Sequence, residues 1–182
     1  MIKRRELNYF IFISLLFYIF FQIIYYFYFQ SIYNIPFYGG DTPRFIFGSE
    51  KLQNYEFNSL QKAWNYFTYV IFFLITDIFL DSKYLYIVYL QILITYVSSV
   101  YLFLLSRKIF NLNTAYLCFF FYLIYIDLHR WNFILYSDSL FVSLIIISIY
   151  YLINIKNFKQ FIYITPLLLL TIGCRPHGIL LI

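Results

Sequence analysis

Four short clusters in this chain of 182 residues carry residue types that can do chemistry. Gly39-Gly40-Asp41-Thr42-Pro43-Arg44 sets a carboxylate beside two glycines, which allow a tight backbone path next to a ligand. Thr42 followed by Pro43 reads as a helix start. Asp41 then stands where the helix dipole favours an ionised carboxylate, and Arg44 follows within one turn. The same residues also fit an Asp-capped surface loop. Tyr136-Ser137-Asp138-Ser139 holds a second Asp in a short connection between two apolar runs, where it is either a turn cap or part of a site. Arg175-Pro176-His177-Gly178 embeds an arginine in an apolar run with no acid nearby in sequence. Such an arginine needs an anion, a group of carbonyls or a snorkelling route, and its planar guanidinium suits phosphate. The plainer reading is that a helix ends there. Asp127-Leu128-His129-Arg130-Trp131 reads first as a local Asp–Arg pair beside an interfacial Trp, with His129 as metal ligand or base the lesser alternative.

The motifs for other chemistries are missing. The sequence has no HExxH, CxxC, GxSxG or GxxxxGK[ST], so zinc hydrolysis, a serine triad and P-loop nucleotide use lack support. Cys118 and Cys174 lie in apolar runs and read as small buried thiols, giving neither a disulfide framework nor metal spacing.

The elements that must position these clusters are apolar. By residue type 63% of the chain is hydrophobic, and mean hydropathy is +0.76. Only 12% is charged, against about 25% for an average soluble domain. That excludes a soluble globular domain and a disordered tail, because a soluble domain of this size has too much surface for so few charges. The net charge of +5 comes from short basic clusters between apolar runs, not from one basic face, so nucleic acid is not an expected partner. Phe and Tyr number 24 and 22 while Ala occurs only at Ala63 and Ala115. This bias, shared by Ile, Asn and Lys, is that of AT-rich codons, so the aromatic excess alone marks no binding surface.

The pattern predicts an all-α fold: a polytopic membrane helical bundle of about five transmembrane helices, in one transmembrane domain over residues 1–182. The first span covers 7–30, behind Lys3, Arg4 and Arg5, which place the N-terminus in the cytoplasm. An external loop over 31–83 carries a helix from about Pro43 to Tyr55 and a second, interfacial or re-entrant helix over 61–81. Further spans cover 84–105, 114–135, 139–155 and 160–182. If Ala63–Leu80 crossed, Arg107, Lys108, Lys156 and Lys159 would fall outside. If it lies in the outer interface they fall inside, and every acid except Glu6 lies toward the outer side. Asn65, Thr68, Thr76 and Asp77 also make Ala63–Leu80 a poor deep span. The expected location is the cell (inner) membrane. Because the sequence stops inside an apolar run, the expectation is an N-terminal portion of a longer protein.

The clusters form an ordered series. A first span is followed by Gly40-Asp41-Thr42-Pro43-Arg44-Phe45 and a helix with Ser49-Glu50-Lys51-Leu52. Next come the basic helix end Ser106-Arg107-Lys108-Ile109-Phe110, then Tyr136-Ser137-Asp138-Ser139-Leu140-Phe141, then Thr171-Ile172-Gly173-Cys174-Arg175-Pro176-His177-Gly178. The series resembles the GT-C superfamily of membrane glycosyltransferases, and within it the family of protein O-mannosyltransferases and lipid A aminoarabinose transferases. Two departures are visible. Gln61-Lys62-Ala63-Trp64 stands where relatives often have a Pro pair, and such enzymes have more spans and often an outer domain.

The resemblance implies transfer of a sugar from a polyprenyl-phosphate carrier to a glycan, lipid or protein acceptor on the outer face, with inversion. It implies Asp41 as general base. Arg44 and Arg175 would neutralise the leaving phosphate, and Asp138 would orient the acceptor, Arg44 or a divalent cation. Lys62 and His177 join the implied substrate-binding set, and Asp41 and Asp138 would be the ligands of any divalent cation. A flippase or polymerase of envelope polysaccharide, or a non-catalytic membrane protein, are the alternatives. A flippase is expected to carry charges deep in a central cavity, whereas here they gather toward the ends of the runs.

Overall fold

Among the described residues the apolar runs fold mainly as helix. The computed structural model describes residues 4–32, 34–80 and 84–175, and for 4–8, 61 and 62 the backbone alone. The α-helices are α1 (Arg4–Gln30), α2 (Thr42–Gln53), α3 (Phe67–Phe79), α4 (Leu85–Ile109), α5 (Leu112–Ile124), α6 (Ile126–Arg130), α7 (Asp138–Asn154) and α8 (Phe158–Cys174). Two 3-10 segments, Phe57–Ser59 and Gln61–Tyr66, lead into α3. No strand forms among the described residues; one isolated parallel bridge joins Phe37 to Ile134.

Among the described residues two helices are long and apolar enough to cross a membrane, α1 over its 22 residues Tyr9–Gln30 and α4 over all 25 of its residues. At 1.5 Å per residue each exceeds the ~30 Å of a hydrocarbon core. The apolar helices α3, α5, α7 and α8 are shorter, at 13, 13, 17 and 17 residues. The run expected to be helical over 114–135 is interrupted. Tyr125 adopts an extended backbone (φ −74°, ψ 93°) that ends α5 and starts the five-residue α6. The helix expected from Pro43 to Tyr55 is α2, and the segment expected over 61–81 is a 3-10 turn followed by α3.

Local chemistry explains several ends. Asn111 and Asn157 cap α5 and α8, each side chain accepting from the backbone N–H three residues on, at 2.9 Å and 3.0 Å. The end of α2 closes with Glu56 N–H donating to the Lys51 carbonyl (2.8 Å) and Tyr55 N–H to the Leu52 carbonyl (3.1 Å). That paired closure needs a left-handed residue, which here is Tyr55 at φ 60° where glycine is usual.

Helix α4 is the hub, packed against α1, α5 and α7. Its face toward α7 is polar and small. Ser98 and Thr95 meet Ser143, and Gln91 meets Ser139, all buried. Small hydroxyl side chains let helices approach closely and bond across the seam. α3 lies across α2 and the α8 end. A Cβ at Gly173 would sit 2.4 Å from Thr68 Oγ1, so glycine sets that approach. The core beneath α2 and α3 centres on Phe45, Tyr69, Phe73, Leu135 and Leu140. A second core between α1, α4 and α5 holds Tyr18, Tyr96, Phe103 and Phe119.

Candidate functional site

Three of the four clusters meet at one end of the bundle. The loop before α2 is stitched to the loop before α7. Phe37 N–H donates to the Phe133 carbonyl (3.1 Å), and Leu135 N–H donates to the Phe37 carbonyl (2.9 Å). Thr42, fully buried at the start of α2, donates its hydroxyl to the Leu135 carbonyl at 2.9 Å. These bonds hold Asp41 and Tyr136 beside each other although 95 positions separate them (136 minus 41).

Asp41 occupies the N-cap position of α2, but its side chain makes no capping bond. The carboxylate is instead turned to charge and phenol. Arg44 Nη1 lies 3.0 Å from Asp41 Oδ1, and Asp41 is among the charged groups that act on the Tyr136 phenol. Gly39 explains how the phenol gets there. A Cβ at Gly39 would fall 2.4 Å from Tyr136 Cδ2, so the ring lies where any other residue would put its side chain. Gly40 has open space at the same test. Burial pushes the Tyr136 phenol above its ordinary range, and the Asp41 carboxylate pushes it further.

Asp138 and Arg175 complete the group. Arg175, just past the end of α8, donates from Nη2 to Asp138 Oδ2 and from Nε to Ser137 Oγ (3.3 Å). Both partners are about three-quarters buried, with side-chain exposures of 25% and 24%. Burial raises the Asp138 carboxyl above the usual carboxylate range, while the Arg175 guanidinium pulls it back down and Asp41 raises it slightly. The arginine that lacks an acid in its own segment therefore finds one across the bundle. The ring of Tyr66 lies under Arg44, 5.7 Å from its guanidinium carbon, a cation–π distance.

One residue holds the second loop in place. Gln91, buried in α4, donates from Nε2 to the Trp131 carbonyl (2.9 Å), the Ile134 carbonyl (3.1 Å) and Ser139 Oγ (2.9 Å). Its Oε1 accepts from the Tyr69 hydroxyl at 2.8 Å. Sequence reasoning missed Gln91, Ser137 and the roles of Gly39 and Tyr136. The signal for Gln91 was present: a lone amide within the apolar helix α4.

The fourth cluster is split: the Trp131 ring lies 5.5 Å from that of Tyr136, while His129 is bonded to Gln22 of α1. His129 is fully buried in α6. Its Nε2 is 3.2 Å from the Tyr122 carbonyl and so must donate; Nδ1 then accepts from Gln22 Nε2 at 2.7 Å. Asn132 and Thr95 continue this network to Ser143. Asp127–Arg130 is not among the ion pairs of the described residues, which are Asp41–Arg44, Lys51–Glu56 and Asp138–Arg175. Arg130 instead stacks over Trp131, 5.8 Å from its ring centre. His177 lies outside the described residues, as does the side chain of Lys62. No group of three or more His, Cys, Asp or Glu gathers among the described residues, and the two carboxylates expected to take a cation are each paired with an arginine.

Comparison with protein-family models, with curated proteins and with solved structures finds no match.

Proposed function

We propose that this chain is the catalytic membrane portion of a GT-C-like glycosyltransferase. It would transfer a sugar from a polyprenyl phosphate to an acceptor on the outer face of the cell membrane. The observation that carries the reading is the convergence of Asp41, Arg44, Tyr136, Asp138 and Arg175 from three distant segments at one end of the bundle. In this reading α1, α4, the α5–α6 pair, α7 and α8 traverse the bilayer as a polytopic bundle with the N-terminus inside, while α2 and α3 lie in the outer interface.

The chemistry asks little beyond a base and positive charge. The acceptor hydroxyl attacks the anomeric carbon. Asp41 takes its proton, the bond from that carbon to the phosphate oxygen breaks, and polyprenyl phosphate leaves with the electron pair. The leaving group carries its own charge, so no strong acid is required. Arg44 and Arg175 stabilise that phosphate by charge-assisted hydrogen bonds, which exchange for their present bonds to Asp41 and Asp138. Tyr136 fixes the Asp41 carboxylate toward the acceptor. Lys62 and His177 remain proposed substrate-binding residues on the strength of the family resemblance.

A polysaccharide flippase is the second reading, favoured by the polar network of Gln22, His129, Asn132 and Thr95 inside the bundle. Yet that network carries no carboxylate or arginine, and the ion pairs sit at the ends of α2, α7 and α8.

The test uses the full-length protein in sealed vesicles, supplied with the polyprenyl-phosphate-linked sugar pool extracted from the producing cells. Release of free polyprenyl phosphate with sugar appearing on an acceptor supports the transferase. Movement of intact donor across the bilayer without release supports the flippase. In parallel, cysteines placed at the exposed positions Asn113 and Asn58 should label from opposite sides; labelling from one side would overturn the topology.

A further inference from the structure

The opposite end of the bundle holds a cleft that the transfer reading does not use. α7 and α8 meet where Arg175 reaches Asp138 and again where Ser148 Oγ and Thr171 Oγ1 lie 3.0 Å apart. Nearer their connection a cavity of about 660 Å³ lies against both helices, walled by Tyr151, Asn154, Gln160, Tyr163, Ile164 and Leu167. The residues of α8 here recur at 160, 163, 164 and 167, the spacing of one helix face. Pro166 lies beside this stretch inside α8 and withholds the backbone bond that would run to the Ile162 carbonyl. The cavity is apolar in its depth, and Asn154 and Gln160 supply amides.

Among the described side chains, the charge around it has one sign. Lys108 donates from Nζ to Asn154 Oδ1 (2.6 Å) and the Ile153 carbonyl (3.2 Å), which puts an ammonium at the lip. Arg107 precedes it, and Lys156 and Lys159 flank the α7–α8 connection, exposed. No Asp or Glu occurs between residues 82 and 126 or after 138, so α4's far end, α5, the rest of α7 and α8 offer these bases no acid. An apolar cleft with amides and lysines at its mouth matches an amphiphile with an anionic head, since juxtamembrane basic groups attract acidic lipid.

We infer that the cleft between α7 and α8 binds one anionic phospholipid. Its acyl chains lie against Tyr163, Ile164 and Leu167, and its phosphate is held by Lys108, Lys156 and Lys159. The inference rests on the membrane-spanning reading but is independent of the transfer chemistry at Asp41.

The test is native mass spectrometry of the full chain released from bilayers containing phosphatidylglycerol and phosphatidylcholine of identical acyl chains. One phosphatidylglycerol per chain should be retained with roughly tenfold preference, falling roughly fivefold with each of Lys156→Gln and Lys159→Gln. Leu167→Trp, which fills the cleft, should remove the one-to-one adduct with helix content unchanged. Arg130→Gln, at the other end, should leave it intact. Equal retention of the two lipids would overturn the inference, as would an adduct undiminished by Leu167→Trp. Displacement by free glycerol phosphate at the concentrations where dispersed phosphatidylglycerol competes would also overturn it, by showing a headgroup site without a chain. A chain monodisperse in buffer without detergent would overturn both this inference and the membrane reading.

Discussion

Arg175 at the end of α8 and Asp138 at the start of α7 form an ion pair that spans a full helical hairpin, with Ser137 accepting a second bond from the same guanidinium. The pair joins the two helices where they enter the site. Removing one partner leaves a largely buried charge unpaired, a loss on the order of 1–3 kcal/mol once partial exposure is allowed for. Arg175→Ala and Asp138→Ala should each lower the thermal unfolding midpoint in detergent. The charge-swapped pair Asp138→Arg with Arg175→Asp should recover much of that midpoint yet leave sugar transfer undetectable, because the cation no longer stands where the phosphate needs it. Recovery of transfer by the swap would show that the pair is structural alone.

Gly39 and Gly40 are adjacent but unequal. A methyl at Gly39 collides with the Tyr136 ring, whereas one at Gly40 meets nothing within 4 Å. Gly39→Ala should cost roughly 1–3 kcal/mol of stability as the ring is displaced. Gly40→Ala should be near neutral. Thermal unfolding of the two variants side by side checks this; equal effects would contradict the packing.

Gln91 should behave as a clamp rather than a filler. Gln91→Met keeps the volume but strands the Trp131 carbonyl and the Tyr69 hydroxyl, whereas the Ile134 carbonyl keeps its bond from the Tyr136 N–H, at about 1–3 kcal/mol for each buried group left unsatisfied. Hydrogen exchange should then quicken at Phe133 to Leu135 while the middle of α1 keeps its protection. Unchanged exchange in the loop would rule out the clamp.

Two acids should give opposite signatures in mild acid. The Asp138 carboxyl is raised by burial, so the folded chain holds its proton more tightly than the unfolded chain. Its ionisation therefore costs stability, and the cost grows as pH climbs from the ordinary Asp value through the raised one. Glu56 is lowered by its hydrogen bond and charge pairing with Lys51, so its contribution is present above the ordinary Glu value and is lost as pH falls through the lowered one. Unfolding midpoints between pH 3 and 7 should lose a downward trend with pH in Asp138→Asn and an upward one in Glu56→Gln. Trends of the same sign would contradict the assigned environments.

Composition and charge spacing made the helical class legible, and the α2 start at Thr42-Pro43 was readable from proline's fixed geometry. The break at Tyr125 was not, because an apolar run carries no mark of where its backbone turns extended. The ion pair of Arg175 was legible only as a need: an arginine in an apolar run must find an anion, but its partner lies 37 residues away on another helix. The partners of His129 were hidden for a related reason. Its flanking Asp127, Arg130 and Trp131 suggested an interface, while tertiary packing against Gln22 of α1 decided its burial.

The most direct measurement is sugar transfer from polyprenyl phosphate by the full-length protein carrying Asp41→Asn, beside Tyr136→Phe. The amide keeps the shape of Asp41 but cannot take the acceptor's proton, so turnover should vanish with expression, unfolding midpoint and donor binding preserved. Tyr136→Phe, which removes the phenol hydroxyl that senses the Asp41 carboxylate, should keep its KM and lose roughly tenfold in kcat. Transfer by Asp41→Asn at the unmodified rate would contradict the assignment of Asp41 as the base.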